Sequence, residues 1–389
     1  MKKTSLSVIL HIAVFVFLVP FLGIICMLEF YDFKLNNRLD YNEWTAELGS
    51  RLETDIASSF HQKFLFVNLN GAIRNLLGQR EMNHVIKLNN GKLIQTLPRL
   101  DDNVISNNAA QVARLRDYLA AKGKPLLYVA CPYTESVYDP QLPAGIVNYA
   151  NDNHTRFLEM LAAQGIDTID IRAAFHEDGI DHYDMMYQTD HHWNTDAGLY
   201  AYNQIAAYLH EKTGCVTDAR IGNADQYEIH VWPQHHLGMY GQRTGRFFGG
   251  IDDFKLYLPK FPTLVHRVGE EQEAGSLDVV FYDTAPLESK DYSSRYTYDA
   301  VLGGLPVSGN RYINHLAEND MHILVLSDSF YKAVCPFLIS AYKDVQYAHY
   351  TEVPDVTTVA NMELNNYDAV IILYEPAIIG FGTSFGFLG

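Results

Sequence analysis

The first thirty residues and the rest of the chain follow different hydrophobic patterns. From Leu6 to Leu28 the chain is apolar and uncharged, broken only by Ser7, His11, Pro20 and Gly23. Such a run is long enough to cross a bilayer as a helix. Lys2 and Lys3 precede it, and Glu29 and Asp32 follow. That bias predicts a cytoplasmic N-terminus and an exported remainder, a single-pass arrangement in the cell membrane. The competing reading is a cleaved signal peptide, which needs a shorter apolar core and a small-x-small cleavage site. Ile24-Ile25-Cys26-Met27 offers no such site, and bulky Ile25 also argues against lipidation at Cys26. Residues 1–30 therefore read as a cytoplasmic stub and signal anchor. Residues 31–60 read as a polar stalk and helical lead-in, and 61–389 as one domain with an irregular insertion at about 215–320.

Inside that domain the pattern alternates between two periods. Asn107 to Lys122 repeats apolar residues at helical spacing (Val112, Leu115, Leu119), and Gly123 stands where a helix-ending glycine belongs. Pro125 to Cys131 is continuously apolar, as a strand buried on both faces requires. A helix from His154 to Ala163, stopped by Gly165, precedes a short strand over 166–171. Thr195 to Lys212 predicts a helix with Leu199, Ile205 and Leu209 inward, ended by Gly214. The last third predicts a strand at 322–327, a helix at 330–343, and strands at 345–350 and 368–374. Asp368-Ala-Val-Ile-Ile-Leu-Tyr374 is the clearest buried strand. The alternation predicts an α/β fold, a parallel sheet flanked by helices. Residues 238–250 hold too many glycines for an element interior and read as loop, of the kind that rings a site.

Composition narrows the class of protein. At 48% hydrophobic and 19% charged, the 389-residue chain is an ordered globular protein. Its formal net charge of −17 argues against a nucleic-acid partner, which needs concentrated Lys and Arg. Four scattered cysteines (26, 131, 215, 335) form neither a disulfide framework nor a zinc pattern. An exported protein with so few cysteines leans towards a bacterial surface. No motif implies a cofactor.

The chemistry lies in two segments. Thr189-Asp-His-His-Trp-Asn-Thr-Asp196 holds Asp190 two residues before His192, and strand 322–326 runs into Ser327-Asp-Ser-Phe330. A Ser at a strand-to-helix turn with a distant Asp-x-His supplies nucleophile, base and orienting carboxylate. Ser329 is the candidate nucleophile, and the amide of Phe330 at the following helix start is a candidate oxyanion donor. Ser329 also suits a helix N-cap, and Asp190 a structural turn. Two adjacent histidines are expected to point apart, so that one at most reaches Ser329. Asp181, His182, Asp184, Asp190, His191 and His192 crowd twelve residues, so metal binding is a further alternative, although His235-His236 is the nearest second cluster and it lies on a predicted loop. Tyr133, Tyr240 and Arg243 are candidate substrate contacts, and the 240–300 region is rich in aromatic residues.

Tyr187-Gln-Thr-Asp-His-His-Trp-Asn-Thr-Asp-Ala-Gly198 closely resembles the signature of the bacterial DHHW proteins, a group similar to the alginate O-acetyltransferase-like branch of the SGNH hydrolases. Ser327-Asp-Ser-Phe-Tyr331 with Cys335-Pro-Phe-Leu338 resembles the family's nucleophile segment. Asn89-Asn-Gly-Lys-Leu-Ile94 resembles its early glycine turn, and Cys131-Pro-Tyr-Thr-Glu-Ser-Val-Tyr138 its Pro-containing strand exit. The resemblance covers roughly residues 45–380. It implies an SGNH-hydrolase-like fold, selects His192 over His191 as the base, and makes Trp193 a packing residue. It also implies acetyl transfer through Ser329 to a hydroxyl of a surface or exported polysaccharide, beside a polytopic membrane O-acyltransferase. An esterase using the same residues and a non-catalytic glycan-binding or assembly subunit are the alternatives. Gly303-Gly304-Leu305 resembles the family's Gly-Gly-Asn turn without its Asn, which makes Gly303 and Gly304 oxyanion candidates and leaves Asn310 or Asn314 as substitutes for the missing amide.

Overall fold

The computed structural model describes residues 6–36, 55–56, 62–269, 274–288, 290, 292, 296–300, 310–349 and 364–388. The chain divides into two units, Met1–Asn70 and Gly71–Gly389.

In the first unit, helix α1 covers Leu6–Asn36. At 1.5 Å per residue it is roughly 46 Å long, more than the apolar thickness of a bilayer. Phe15, Phe17 and Met27 are among its exposed apolar side chains. Among the described residues it is the one helix long and apolar enough to cross a membrane, with its most apolar window at Phe15–Asp32. The stalk predicted for 31–60 lies mostly outside the described residues. Helix α2, Lys63–Leu76, leads out of this unit.

The second unit is built on a seven-stranded sheet. A small antiparallel sheet, β1 (Glu81–Met82), β2 (Val85–Lys87) and β3 (Leu93–Ile94), comes before it in the chain. Then follow α3 (Asp102–Ala120), β4 (Leu126–Ala130), α4 (Ala150–Ala163), β5 (Asp167–Asp170), α5 (Ile171–Glu177) and α6 (Thr195–Thr213). After β6 (Tyr227–His236), a short helix α7 (Met239–Thr244) and β7 (Asp252–Pro259) come β8 (Val265–Arg267), β9 (Arg311–Asn314) and β10 (His322–Ser327). Helix α8 (Tyr331–Ala341), β11 (Asp344–His349) and β12 (Ala369–Tyr374) complete the domain. The sheet order is β5-β4-β12-β10-β11-β9-β8. Strands β5 to β11 in that order are parallel, and β9 and β8 add an antiparallel edge.

Alternation along each strand splits the core into two layers, because successive side chains face opposite sides of a sheet. On β12, Val370, Ile372 and Tyr374 pack with Val112, Leu115 and Leu119 of α3 and with Phe157 and Leu161 of α4. Ala369, Ile371 and Leu373 pack on the other side with Leu199, Ile205 and Leu209 of α6 and with Val334 and Leu338 of α8. Both layers are covered, which explains why these strands read as continuous apolar runs. Asp101 caps α3 by accepting from the Asn103 amide at 2.8 Å. Gly214 closes α6 in the left-handed region, at φ 73°.

Residues 215–320 are more regular than their sequence suggests. Strands β6 and β7 pair as an antiparallel ribbon, and β8 and β9 join the main sheet. The glycine-dense stretch 238–250 is not loop either: it holds α7 and a second helical turn, Arg246–Gly249. Its glycines answer to crowding, since a Cβ on Gly238 would sit 2.4 Å from Asp190 Cβ and one on Gly241 2.9 Å from Thr189 Cβ. Many of the aromatic residues between 240 and 300 belong to the core; Tyr240, Phe248, Phe254, Tyr257, Phe281 and Tyr298 are all buried.

Candidate active site

The site lies past the carboxyl ends of the parallel strands, where open α/β sheets hold their ligands. Strand β10 ends at Ser327, whose hydroxyl donates to the Leu373 carbonyl of β12 at 2.9 Å. Asp328 then fixes the turn: its carboxylate accepts the Phe330 amide at 2.8 Å and the Glu375 amide, just past β12, at 2.7 Å. Ser329 follows, and Phe330 rather than Ser329 takes the N-cap position of α8. The Asp-His-His-Trp segment is closed on itself by a bridge between Met186 and Trp193. It is tied to the serine turn by the Trp193 indole, which donates to the Phe330 carbonyl at 2.8 Å. Trp193 is fully buried, the packing position expected of it.

These two segments bring Asp190, His192 and Ser329 into one hydrogen-bonded row. His192 Nε2 is 2.6 Å from Ser329 Oγ across a sequence separation of 137 residues, and His192 Nδ1 is 2.8 Å from Asp190 Oδ1. Asp190 is fully buried and surrounded by donors. The His191 amide reaches Oδ1 at 2.7 Å, and the Met239 amide reaches Oδ2 at 3.2 Å. The Tyr296 hydroxyl also donates to Oδ2, and His236 Nε2 lies 3.2 Å from it. Burial opposes charge on Asp190, but His192 and the hydrogen bonds of the surrounding histidines hold its carboxyl well below the usual range. Burial, and then the neighbouring His191, push His192 down to about 3. The pair at neutral pH is thus carboxylate and neutral imidazole. With Nδ1–H held by Asp190, the lone pair of Nε2 faces the serine hydroxyl, as a general base requires.

The two histidines do not point apart. Their ring centroids are 3.7 Å apart, and His191 Nδ1 also lies 3.0 Å from Asp190 Oδ1. Only His192 reaches Ser329. On its other side His192 stacks on Tyr298, with centroids 4.2 Å apart and planes 22° from parallel.

The remaining candidates fall in varied places. The Phe330 amide, expected at an oxyanion, is instead taken by Asp328, because the short Asp side chain folds back on the turn. The Ser329 amide donates to no group among the described residues. Gly303 and Gly304 lie outside the described residues. Asn314 donates its side-chain amide to the Ser340 carbonyl at the far end of α8, and the Asn310 side-chain oxygen accepts from Arg267. Tyr133 and Tyr240 are buried together: the Tyr133 hydroxyl donates to the Gln95 carbonyl, and the Tyr240 ring is 5.8 Å from His191. The Arg243 guanidinium binds the Gln95 side chain at 3.1 Å and the Asn83 carbonyl at 2.6 Å. Of the six Asp and His residues that suggested a metal, only Asp190, His191 and His192 bring their donor atoms together. His182 is bonded to the Tyr133 carbonyl at 2.8 Å, and the Asp181 carboxylate accepts the Tyr183 amide.

Sequence reasoning missed Tyr296, Tyr298, His236 as a neighbour of Asp190, and Glu375. The first two sit in irregular chain with no motif around them. Glu375 had a signal, since it follows the clearest parallel strand. Burial, and then Glu375, push Asp328 up to about 8, and burial also raises Glu375.

Fold and site together define an α/β domain that brings a serine, a histidine and an aspartate into contact. Residues 94–244, which include Asp190 and His192, match the family described as the SGNH hydrolase-like domain of acetyltransferase AlgX. Among solved structures the chain is similar to Bacillus cereus PatB1, at 19% identity over 76% of this chain and 96% of that one, with a TM-score of 0.60. PatB1 with a sulfonyl adduct matches at 19% identity over 78% and 98%, TM-score 0.58. A DHHW family protein from Eubacterium siraeum matches at 14% identity over 78% and 95%, TM-score 0.57. The resemblance read from the motifs thus recurs in the fold. Among curated sequences none matches the chain.

A pH test follows from the imidazole. An unperturbed histidine base with pKa near 6.5 would lose roughly 30-fold of its neutral form between pH 8 and pH 5. His192, held down to about 3, stays neutral throughout that range. Acylation of Ser329 by a small ester is expected to change less than threefold from pH 8 to pH 5. A fall of an order of magnitude centred near pH 6.5 would show that the base is a solvated imidazole.

Proposed function

We propose that this chain is an O-acetyltransferase that carries an acetyl group on Ser329 and passes it to a hydroxyl of a cell-surface or exported polysaccharide. The observation that carries the reading is the 2.6 Å contact between His192 Nε2 and Ser329 Oγ, with Asp190 behind the imidazole. Ser329 Oγ attacks the acyl carbonyl while His192 Nε2 takes its proton. The Ser329 amide, which donates to no group among the described residues, is the candidate donor to the developing oxyanion, and His192 returns the proton to the leaving group. An acceptor hydroxyl then attacks acetyl-Ser329, His192 takes that proton, and the serine is released with the acetylated acceptor. The match to an acetyltransferase domain supports acyl transfer over other serine chemistry.

Helix α1 would anchor the domain outside the cell membrane, where a polytopic O-acyltransferase could hand over acyl groups. Full-length protein is expected to fractionate with membranes and to resist carbonate extraction. A soluble mature form starting near residue 28 would mean a cleaved signal.

With water as acceptor the same residues make a carbohydrate esterase. Purified protein incubated with p-nitrophenyl acetate and an oligosaccharide separates the two. The transferase reading predicts an acetylated sugar by mass spectrometry, formed faster than free acetate. Acetate alone, at every sugar concentration, would make it an esterase.

A further inference from the structure

An open cleft of about 430 Å³ lies past the carboxyl ends of β4 and β5, lined by Ser136, Tyr138, Asp139, Arg172, His176, Asp181, His182 and Tyr183. The acyl-transfer chemistry uses none of these residues. The cleft is at the same end of the sheet as Ser329 and is linked to the site by short contacts. His182 bonds the Tyr133 carbonyl, Tyr133 is buried beside Tyr240, and Tyr240 packs near His191.

Tyr138 dominates the cleft. Its ring lies flat on His176, with centroids 3.9 Å apart and planes 4° from parallel, yet the residue is 51% exposed. One face is held by the imidazole and the other is open. The loop beneath it is fixed, because Ser136 Oγ accepts the Tyr138 amide at 3.2 Å and the Tyr183 hydroxyl donates to the Asp139 carbonyl at 2.7 Å. An exposed aromatic ring on a rigid loop is a platform for a flat, partly apolar ligand. The C–H face of a pyranose fits it, since polarised C–H groups are attracted to the negative face of an aromatic ring. The volume lies within the usual range of small-ligand sites.

Charge selects among sugars. Arg172 is buried, and its guanidinium is committed to Asp170 at 2.9 and 2.7 Å and to Asn151 at 3.3 Å. Burial holds His182 down to about 4, so it adds no charge at neutral pH. His176 gives one face of its ring to Tyr138. Asp139 and Asp181 line the cleft, each carboxylate accepting one hydrogen bond, from the Gln141 side chain and the Tyr183 amide at 2.8 Å, and its lining offers no uncommitted guanidinium or ammonium. A sugar carboxylate would meet like charge there, whereas hydroxyl or ammonium groups would find acceptors.

We propose that this cleft is an acceptor subsite for a neutral or amino-substituted pyranose, stacked on Tyr138 and donating to Asp139 and Asp181, and that it discriminates against uronates. The proposal rests on the acyl-transfer reading for the identity of the polymer, and its test separates the two. Acetyl-Ser329 formation from p-nitrophenyl acetate reports the chemistry alone. Binding of cellotetraose, tetraglucosamine and tetraguluronate to the full-length Ser329→Ala protein, followed by titration calorimetry, reports the subsite alone. The neutral or amino tetrasaccharide is expected to bind at least tenfold more tightly than the uronate. Tyr138→Ala is expected to weaken that binding at least tenfold, and Tyr138→Phe less than threefold. In turnover, Tyr138→Ala is expected to raise the KM for the oligosaccharide, with a loss at least tenfold larger than its loss on the small ester. Asp139→Lys is expected to narrow the preference against tetraguluronate. Preferred binding of the uronate, or oligosaccharide binding unaffected by Tyr138→Ala, would overturn the subsite even if Ser329 acetylates normally. If Ser329 does not acetylate, the binding result still decides whether the subsite exists.

Discussion

His192→Ala is expected to slow acetylation of Ser329 by roughly 10⁴- to 10⁶-fold, the range seen when one member of a mutually dependent triad is removed. The serine hydroxyl then keeps its proton, because no other base lies within hydrogen-bond reach of it among the described residues. Asp190→Asn is expected to cost less, roughly 10²- to 10⁴-fold, since the imidazole remains but its tautomer is no longer fixed. His191→Ala is expected to cost about tenfold: His191 stacks on His192 and neighbours Asp190 but does not touch Ser329. The spectrum is diagnostic, and stopped-flow release of p-nitrophenol measures it. A loss at His191 equal to that at His192 would contradict the assignment of the base. If a chelator abolishes activity and zinc restores it, the metal reading of Asp190, His191 and His192 replaces this one.

Gly198→Val is expected to unfold the domain or to destabilise it by more than about 3 kcal/mol, above the usual penalty for overpacking. Gly198 ends the motif that carries the histidines and lies in the first turn of α6. A Cβ there would be 2.0 Å from the Ala333 carbonyl oxygen and 2.4 Å from its carbon, both backbone atoms of α8. Backbone cannot rotate away as a side chain can. Because α8 begins just after Ser329, forcing the helices apart also moves the nucleophile away from His192. Urea denaturation measures the stability, and even Gly198→Ala is expected to lower the midpoint clearly. By contrast, Gly123→Ala has open space around it, with only the left-handed backbone at φ 69° opposing it, and is expected to cost about 1 kcal/mol. Equal stability of Gly198→Val and the unsubstituted protein would mean that α6 and α8 do not pack this closely.

Much of the domain was legible because its strands are buried on both faces. Leu126–Ala130, His322–Ser327 and Ala369–Tyr374 sit within a residue or two of their predicted spans, since continuous apolar runs bounded by glycine and charge have few other solutions. The ribbon of β6 and β7 was missed although Tyr227, Ile229 and Val231 alternate with Glu228 and His230. Ile229 and Val231 are exposed and His230 is half-buried, so the apolar side of that alternation marks no core face. The glycines of 238–250 misled because Gly238 and Gly241 permit close approach to Thr189 and Asp190, and Gly249 to Leu93, a tertiary demand with no local signature. Ser329, Asp190 and His192 were legible because their roles constrain residue type and position in the chain. Tyr296 and Tyr298 were not, since any hydroxyl donor and any flat ring could serve Asp190 and His192. The Phe330 amide shows the limit of motif reasoning: its position at a helix start suggested a donor facing the substrate, and the adjacent Asp328 captures it.

The central claim is that Ser329 is acylated with His192 as its base, and peptide mapping after brief exposure to p-nitrophenyl acetate tests it most directly. The geometry predicts one acetyl group per chain, on the peptide containing Ser327-Asp-Ser-Phe330, lost on incubation with an acceptor, absent in Ser329→Ala and strongly reduced in His192→Ala. An acetyl group on another residue, or one that persists in Ser329→Ala, would contradict it.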